Sequence, residues 1–318
     1  MAHHVLRFAV RSDLGRRRTA NEDAAVAGPR LLAVADGMGG HPHGDVASRI
    51  AIEAVAGVPS GPGDPADGLA AAVASAAARL DELGRRDPGY ARTGTTLTAL
   101  AWDGARFAVA HIGDSRAYLL RGGDLFQLTR DHTMVQTLVD GGQLTPEEAA
   151  DHPRGSVLVR ALQSGTAAAP DLFRHDALPG DRYLLCSDGL SGQVPAAAIR
   201  DVLAGTDEPA RAADRLVDLA NRAGGPDNIT CVVADVVPGP ADGTPPAVAG
   251  AAAATDPAAT DPAAHTAATG PTATGPGAPG GTAPGGTAPG GTGPGPTPGG
   301  ADAGGGGPLA RFGRLRRA

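Results

Sequence analysis

Apolar residues fall along the first 237 positions in short runs with polar breaks between them, and the period of each run predicts its element. Runs at 5–10, 31–35, 95–101, 106–112, 116–120, 182–186 and 229–237 have strand character. Several alternate apolar with polar, as a half-buried strand does. Stretches at 45–55, 69–83, 133–140, 146–152, 157–161, 195–203 and 208–222 predict helices, because they are mostly Ala-rich and open near Ser, Thr, Asp or Pro. The strands between 95 and 120 are joined by turns at 102–105 and 113–115, too short for a crossover helix, so neighbours run antiparallel. Helices enter in pairs after the second strand and again toward position 222. The pattern predicts an α+β protein with helices packed outside antiparallel sheets.

From position 238 onward the periodicity stops and the chain is almost all Ala, Gly, Pro and Thr, with GGTAP at 280–284 and 285–289 and GGTGP at 290–294. Such a stretch has too little large apolar surface to offset chain entropy. We expect one folded domain at 1–237 and a disordered tail at 238–318, whose LARFGRLRRA segment reads as a solvated basic end. The tail's four Asp and four Arg cancel, so the net charge of −7 sits in the domain. An acidic domain is a poor nucleic-acid binder. Every basic side chain is Arg, and the absence of Lys excludes Schiff-base and P-loop lysine chemistry. No run approaches the ~18 apolar residues of a membrane helix, and the first residues lack a signal-peptide core, so a cytoplasmic protein without an integral membrane segment is expected. Cys186 and Cys231 lie inside apolar runs and read as buried small hydrophobes rather than a disulfide or metal pair.

The candidate chemistry lies where aspartates interrupt this pattern. Asp36 ends LLAVAD and Asp188 ends YLLCSD, each followed by glycine; Asp114 follows FAVAHIG, Asp227 precedes ITCVVADV, and Asp23 stands shortly before the strand bearing Asp36. A carboxylate at the end of a buried strand is held rigidly at the sheet rim. Any one Asp-Gly pair is also an ordinary turn. Five carboxylates on one rim would repel one another without a counter-charge, and all-oxygen donors suit hard ions, Mg2+ or Mn2+, rather than Zn2+.

The segments SDLGRRRTANED (12–23), VADGMGGHPHG (34–44), TGTTLTAL (93–100), HIGDSRAYLLR (111–121), LTRDHT (128–133), CSDGL (186–190) and GGPDNIT (224–230) resemble, in order, the motif set of the metal-dependent serine/threonine protein phosphatases, the PPM or type 2C family. The resemblance implies a four-layer α/β/β/α sandwich of two antiparallel sheets flanked by helices. It also implies hydrolysis of phosphoserine and phosphothreonine on proteins phosphorylated by a bacterial serine/threonine kinase. By the same resemblance Asp36 bridges two Mn2+ or Mg2+ ions, Gly37 lends its backbone carbonyl, and Asp188 and Asp227 hold the second metal. Asp23 belongs to the metal shell with Glu22 beside it, and Asp114 helps hold a weaker third ion. Arg18 grips the substrate phosphate, Asn228 steadies Asp227, and a water bridging the two ions attacks phosphorus.

Met38 stands where some members have a general-acid histidine, which leaves the leaving group's acid open, with His41 one candidate. Positions 133–165 match the family's flap, which shapes substrate choice. The alternative, a catalytically dead phosphoprotein-binding module of the same fold, would show loss of Asp36, Asp188 or Asp227, and all three are retained.

Overall fold

The first strand closes against the last long one. In the computed structural model, which describes residues 4–38, 43–58, 64–150, 152–166, 169–240, 244–253 and 316–317, β1 (His4–Asp13) lies antiparallel to β12 (Ile229–Pro238), in register from His4↔Pro238 to Asp13↔Ile229. The sheet continues through β11 (Arg182–Cys186), β7 (Arg116–Arg121) and β8 (Asp124–Gln127) to the two-residue β14 (Arg316–Arg317). The second sheet runs in the order β10 (Asp171–Asp176), β6 (Arg106–Ile112), β5 (Leu97–Trp102), β3 (Leu31–Asp36), β2 (Asp23–Ala27) and β13 (Ala247–Gly250). Every pairing among the described strands is antiparallel.

Side-chain parity along each strand assigns the layers. Leu32 and Val34 of β3 face the other sheet, where they join Leu100, Phe107, Val109, Leu119, Tyr183, Leu185, Val232 and Ala234 in the central core. Their neighbours Ala33 and Ala35 face outward, against α1 (Gly44–Ala56) and α2 (Pro65–Arg86). On β12, Val232 and Ala234 point inward while Cys231 and Val233 pack beneath α5 (Asp188–Ser191), α6 (Ala196–Ala204) and α7 (Pro209–Arg222). The two thiols are free, buried and opposite each other in register on β11 and β12. These strands are buried on both faces, so they read as unbroken apolar runs although the sheets are antiparallel. The result is the expected four-layer sandwich. Among the described residues no helix is long and apolar enough to cross a membrane.

Several elements depart from the sequence pattern. The helix expected at 157–161 does not form; Leu158 instead makes an isolated bridge to Thr133 at the base of α3 (Met134–Asp140), beside the short α4 (Pro146–Ala150). The run 95–101 is split into β4 (Gly94–Thr95), which pairs with β9 (Leu162–Gln163), and β5, because the Thr96 N–H turns to the Asp36 carbonyl at 2.9 Å. β2, β8 and β10 were not marked by any apolar run of their own. Past the expected boundary at 237 the chain adds β13, whose residues pair with Ala24–Ala27 of β2. Residues 254–315 of the expected tail lie outside the described residues.

Phe107 is fully buried between Trp102 and Tyr183, its ring centroid 4.7 Å from each. Phe107→Ala therefore removes the middle of the inter-sheet core and should cost about 3–5 kcal/mol. Urea unfolding should show a lower midpoint with an unchanged slope.

Candidate functional site

Strand direction brings the predicted carboxylates to one end of the sandwich. Asp23 opens β2 directly opposite Asp36, which closes β3. Asp114 lies two residues past the end of β6, Asp188 opens α5 two residues past β11, and Asp227 stands two residues before β12. Asp23 is buried, Asp114 nearly so, and Asp36 and Asp188 keep some surface at the rim while being walled in by protein.

Hydroxyl groups fix these positions. The Asp36 N–H donates to Thr96 Oγ1 at 2.9 Å, and its carbonyl accepts from Thr95 Oγ1 at 2.8 Å. Thr96 Oγ1 in turn meets Ser115 Oγ at 2.6 Å, which ties the strand end bearing Asp36 to the turn bearing Asp114. Ser187 Oγ donates to the Asp23 carboxylate at 2.7 Å and accepts from the Thr230 N–H at 3.1 Å, joining the two sheets at the site. A Cβ on Gly37 would overlap the Gly44 carbonyl and stand 2.7 Å from the Glu22 carbonyl oxygen, so only glycine allows this close approach. On the far side of Asp114, His132 accepts from the Gly113 N–H at 3.0 Å through Nδ1 and meets Asp171 at 3.1 Å through Nε2.

The electrostatics are those of crowded acids. Burial first, then repulsion from Asp23, Asp188, Asp114 and Asp227, holds the Asp36 carboxyl well above the usual carboxylate range. Burial likewise pushes Asp23 up to about 7, against hydrogen bonds from Thr230 and Ser187 that favour its charge. Asp114 is raised to about 8 by burial and by Asp188. Asp188 is raised by burial and by Asp227, against a hydrogen bond shared with Asp36, and burial raises Glu22.

Arginines answer this charge: Arg116 favours the charged forms of Asp114 and Asp188, and Arg18 pairs directly with Asp227. Arg18 Nη2 donates to Asp227 Oδ2 at 2.7 Å, with the arginine side chain 38% exposed. The Asn228 N–H donates to the other Asp227 oxygen at 2.8 Å. Asn228's side chain works elsewhere: it accepts from the Glu22 N–H at 2.9 Å and donates to the Leu14 and Ala20 carbonyls at 3.0 Å, holding the loop that carries Arg18.

The donor set is all oxygen, four of its carboxyls are pushed toward neutrality, and no lysine is present, so it fits hard divalent cations. Among the described residues no three His, Cys, Asp or Glu side chains already stand as a closed cage. They are engaged instead with Ser187, with Arg18 and with one another. The carboxylates of Asp23, Asp36, Asp114, Asp188 and Asp227 act on one another at this end of the sandwich. His41 lies outside the described residues. His111 is neutral and structural, bonded to Thr98 Oγ1 and to the Arg130 carbonyl at 2.9 Å each, and burial lowers its pKa to about 4.

Residues 16–226 match the protein phosphatase 2C family. The chain belongs to that family. It is 50% identical over 254 residues to the serine/threonine protein phosphatase PstP of Mycobacterium tuberculosis, covering 79% of this chain and 49% of that one. The chain thus spans about half the length of that relative. It is 36% identical over 235 residues to the protein phosphatase PhpP of Streptococcus pneumoniae, covering 71% of this chain and 95% of that protein. Among solved structures, the PstP catalytic domain in complex with two manganese ions superposes with a TM-score of 0.69 at 50% identity, over 74% of this chain and 99% of that one. The PPM Ser-Thr phosphatase MsPP of Mycobacterium smegmatis in complex with cacodylate gives 0.66 at 42% identity, over 73% and 98%.

A groove of about 780 Å³ leads away from the carboxylates of this type 2C domain, from Asp114, Asp188 and Asp227 past Val135, Val139 and Phe173. The supporting hydroxyls of Thr95, Thr96, Ser115 and Ser187 were not singled out by sequence; Ser115 and Ser187 flank an aspartate in their motifs, whereas Thr95 and Thr96 lie in TGTTLTAL, which has none.

The buried His111 gives a pH prediction. Its pKa is lowered from 6.5 to about 4, so the unfolded chain binds this proton first, and the contribution of His111 to stability falls as pH drops from 6.5 toward 4, by up to about 1.4 kcal/mol per pH unit. In urea melts, the stability of His111→Gln relative to the unsubstituted chain should rise as pH is lowered from 7 to 4.

Proposed function

We propose that the chain is a protein serine/threonine phosphatase working with two divalent cations, Mn2+ or Mg2+. The observation that carries the reading is the crowd of aspartates from both sheets, whose mutual repulsion a divalent cation would relieve while leaving them ionised, in a chain of the type 2C family. Asp23, Asp36, Asp188, Asp227 and the Gly37 carbonyl would hold the pair, and Asp114 would serve a weaker third ion. PstP and PhpP, named as phosphatases, support the reading.

Bound divalent cations supply the positive charge that ionises a water nucleophile and offsets charge developing on the phosphoryl oxygens. The protein's part is placement. Thr95 and Thr96 clamp the Asp36 backbone, and Ser187 orients Asp23, so the carboxylates stay in place while repelling one another. Arg18 commits one N–H to Asp227 and keeps the rest of its planar fork for a phosphate at the open rim. No cysteine takes part: burial pushes the Cys186 thiol up to about 12, far from a thiolate nucleophile. The groove is far larger than one phosphorylated side chain and suits an extended protein segment, in keeping with phosphoprotein substrates of a bacterial serine/threonine kinase met in the cytoplasm.

The test is hydrolysis of p-nitrophenyl phosphate and of a phosphothreonine peptide by the full chain. Turnover should need Mn2+ or Mg2+ and stop with EDTA, and Mn2+ should raise Tm. Asp36→Asn should abolish both turnover and the Mn2+-dependent Tm rise. Asp36→Asn with unchanged turnover would make the site assignment wrong; no turnover with any metal would leave a phosphoprotein-binding module. Arg18→Ala should raise KM for the peptide about tenfold or more, the loss of a charge-assisted hydrogen bond, with a smaller change in kcat.

A further inference from the structure

Residues 244–253, which composition assigns to the tail, are built into the sheet beside the first aspartate of the site. β13 runs antiparallel to β2 and ends with Gly250 opposite Ala24. Immediately past that end, the Ala251 N–H donates to the Asp23 carbonyl at 2.7 Å. Ala251 is itself buried, among the side chains between the sheet and α1 and α2. Gly250 has φ +65°, and a Cβ there would overlap the Asp23 carbonyl oxygen and stand 3.1 Å from Ser12 Oγ. Positive φ and this close approach both require glycine.

Asp23 is thus held at its N–H, its carboxylate and its carbonyl, the carboxylate by Thr230 as well as Ser187. Its N–H donates to Asn21 Oδ1 at 3.1 Å, its carboxylate accepts from Ser187 Oγ at 2.7 Å, and its carbonyl is held by Ala251. Ser12 completes the surround: its Oγ accepts from Asn21 Nδ2 at 2.8 Å and meets Thr230 Oγ1 at 2.7 Å. Only the hold on the carbonyl comes from beyond β12.

We infer that the segment 244–253 is a strap that positions Asp23, with Gly250 and Ala251 as its positioning residues, and that it tightens the site's hold on divalent cations. The inference rests on the reading of Asp23 as one of the groups that hold them. Because Ser187 still orients the carboxylate when the strap is lost, cation affinity weakens without vanishing. The expected loss is about tenfold, the lower end for groups that orient a metal ligand. Turnover at saturating cation is retained, since the strap reaches no reacting atom.

The test titrates the full chain with Mn2+ alone by calorimetry, comparing Gly250→Val, Ala251→Pro, which removes the donor N–H, Asp23→Asn, and Val248→Thr at an exposed position of the same strand. Gly250→Val and Ala251→Pro should each weaken Mn2+ binding about tenfold, with p-nitrophenyl phosphate turnover restored at saturating Mn2+, and Val248→Thr should match the unsubstituted chain. A purely structural role would lower the Tm of the metal-free protein and leave the Mn2+ affinity unchanged, which overturns the inference. If Asp23→Asn also binds Mn2+ normally, the ligand reading itself fails. Amide exchange on the unsubstituted chain supplies a reading that needs no variant. The Ala251 N–H should be protected, more so with Mn2+ than with EDTA, and rapid exchange in both conditions would sink the strap.

Discussion

Like charges held together without water are the constraint on which this molecule is organised. Asp36 has four other aspartates acting on it in a desolvated corner, and each raises the free energy of its charged form. A flexible loop would relieve that repulsion by moving apart. Here the carboxylates sit on the ends of strands buried on both faces, so separating them means pulling strands out of the central core. The packing between Leu32, Val34, Phe107, Tyr183 and Val232 therefore opposes the spreading of the charges. Hydrophobic burial stabilises the sandwich, and the sandwich holds an electrostatic strain that protonation lessens and a bound cation would relieve without neutralising the carboxylates.

The lattice of hydroxyls converts that coarse placement into fixed orientation. Thr96 and Ser115 join two strand ends of the site, Ser187 joins the two sheets through Asp23, and Thr230 links Ser187 to Ser12 along the first sheet. Hydroxyls suit the task because they both donate and accept without adding charge. Arg18 and Asp227 form the one ion pair described among the predicted site residues, and its partial exposure leaves the arginine able to meet a second anion.

The parts of this design that were legible in the sequence are those where one physical demand dominates. β3 and β12 stood out because double-sided burial forces unbroken apolar runs, and Asp36 and Asp188 stood out because a charge ending such a run is conspicuous. β2 is DAAVA, short and alanine-rich, with weak strand propensity, and its place between β3 and β13 decides its conformation. β10 carries Asp, Arg and His on the edge of its sheet, where polar residues are tolerated, so no apolar run announced it. The segment 157–161 carries Val157 and Val159, whose β-branching disfavours a helix, and Leu158 bridges to Thr133 instead. β13 was lost in the composition of its surroundings, since AVAG beside Ala- and Pro-rich sequence gives no periodic signal. In the site the aspartates were readable one by one, whereas the Thr and Ser groups were not, because a hydroxyl's partner is set by three-dimensional neighbours. Asn228, expected to steady Asp227, meets that carboxylate through its backbone N–H, while its side chain holds the 14–22 loop, a contact the sequence does not announce.

The pairing of β1 with β12 bears on how the molecule is made. Ten register pairs join residues 4–13 to residues 229–238, more than 200 positions apart. During synthesis the first strand leaves the ribosome with no partner and waits for almost the whole domain to be translated. Asp227 arrives just ahead of that partner, and the residues that meet the Asp23 carbonyl arrive later still. The acidic corner is therefore completed among the last events of folding. A nascent chain halted before Ile229 carries the early aspartates without the sheet that confines them, and its charges stay hydrated and apart. Contacts of such sequence separation also make for slow closure, so the unfinished chain presents apolar strands to the cell for the full time of its translation.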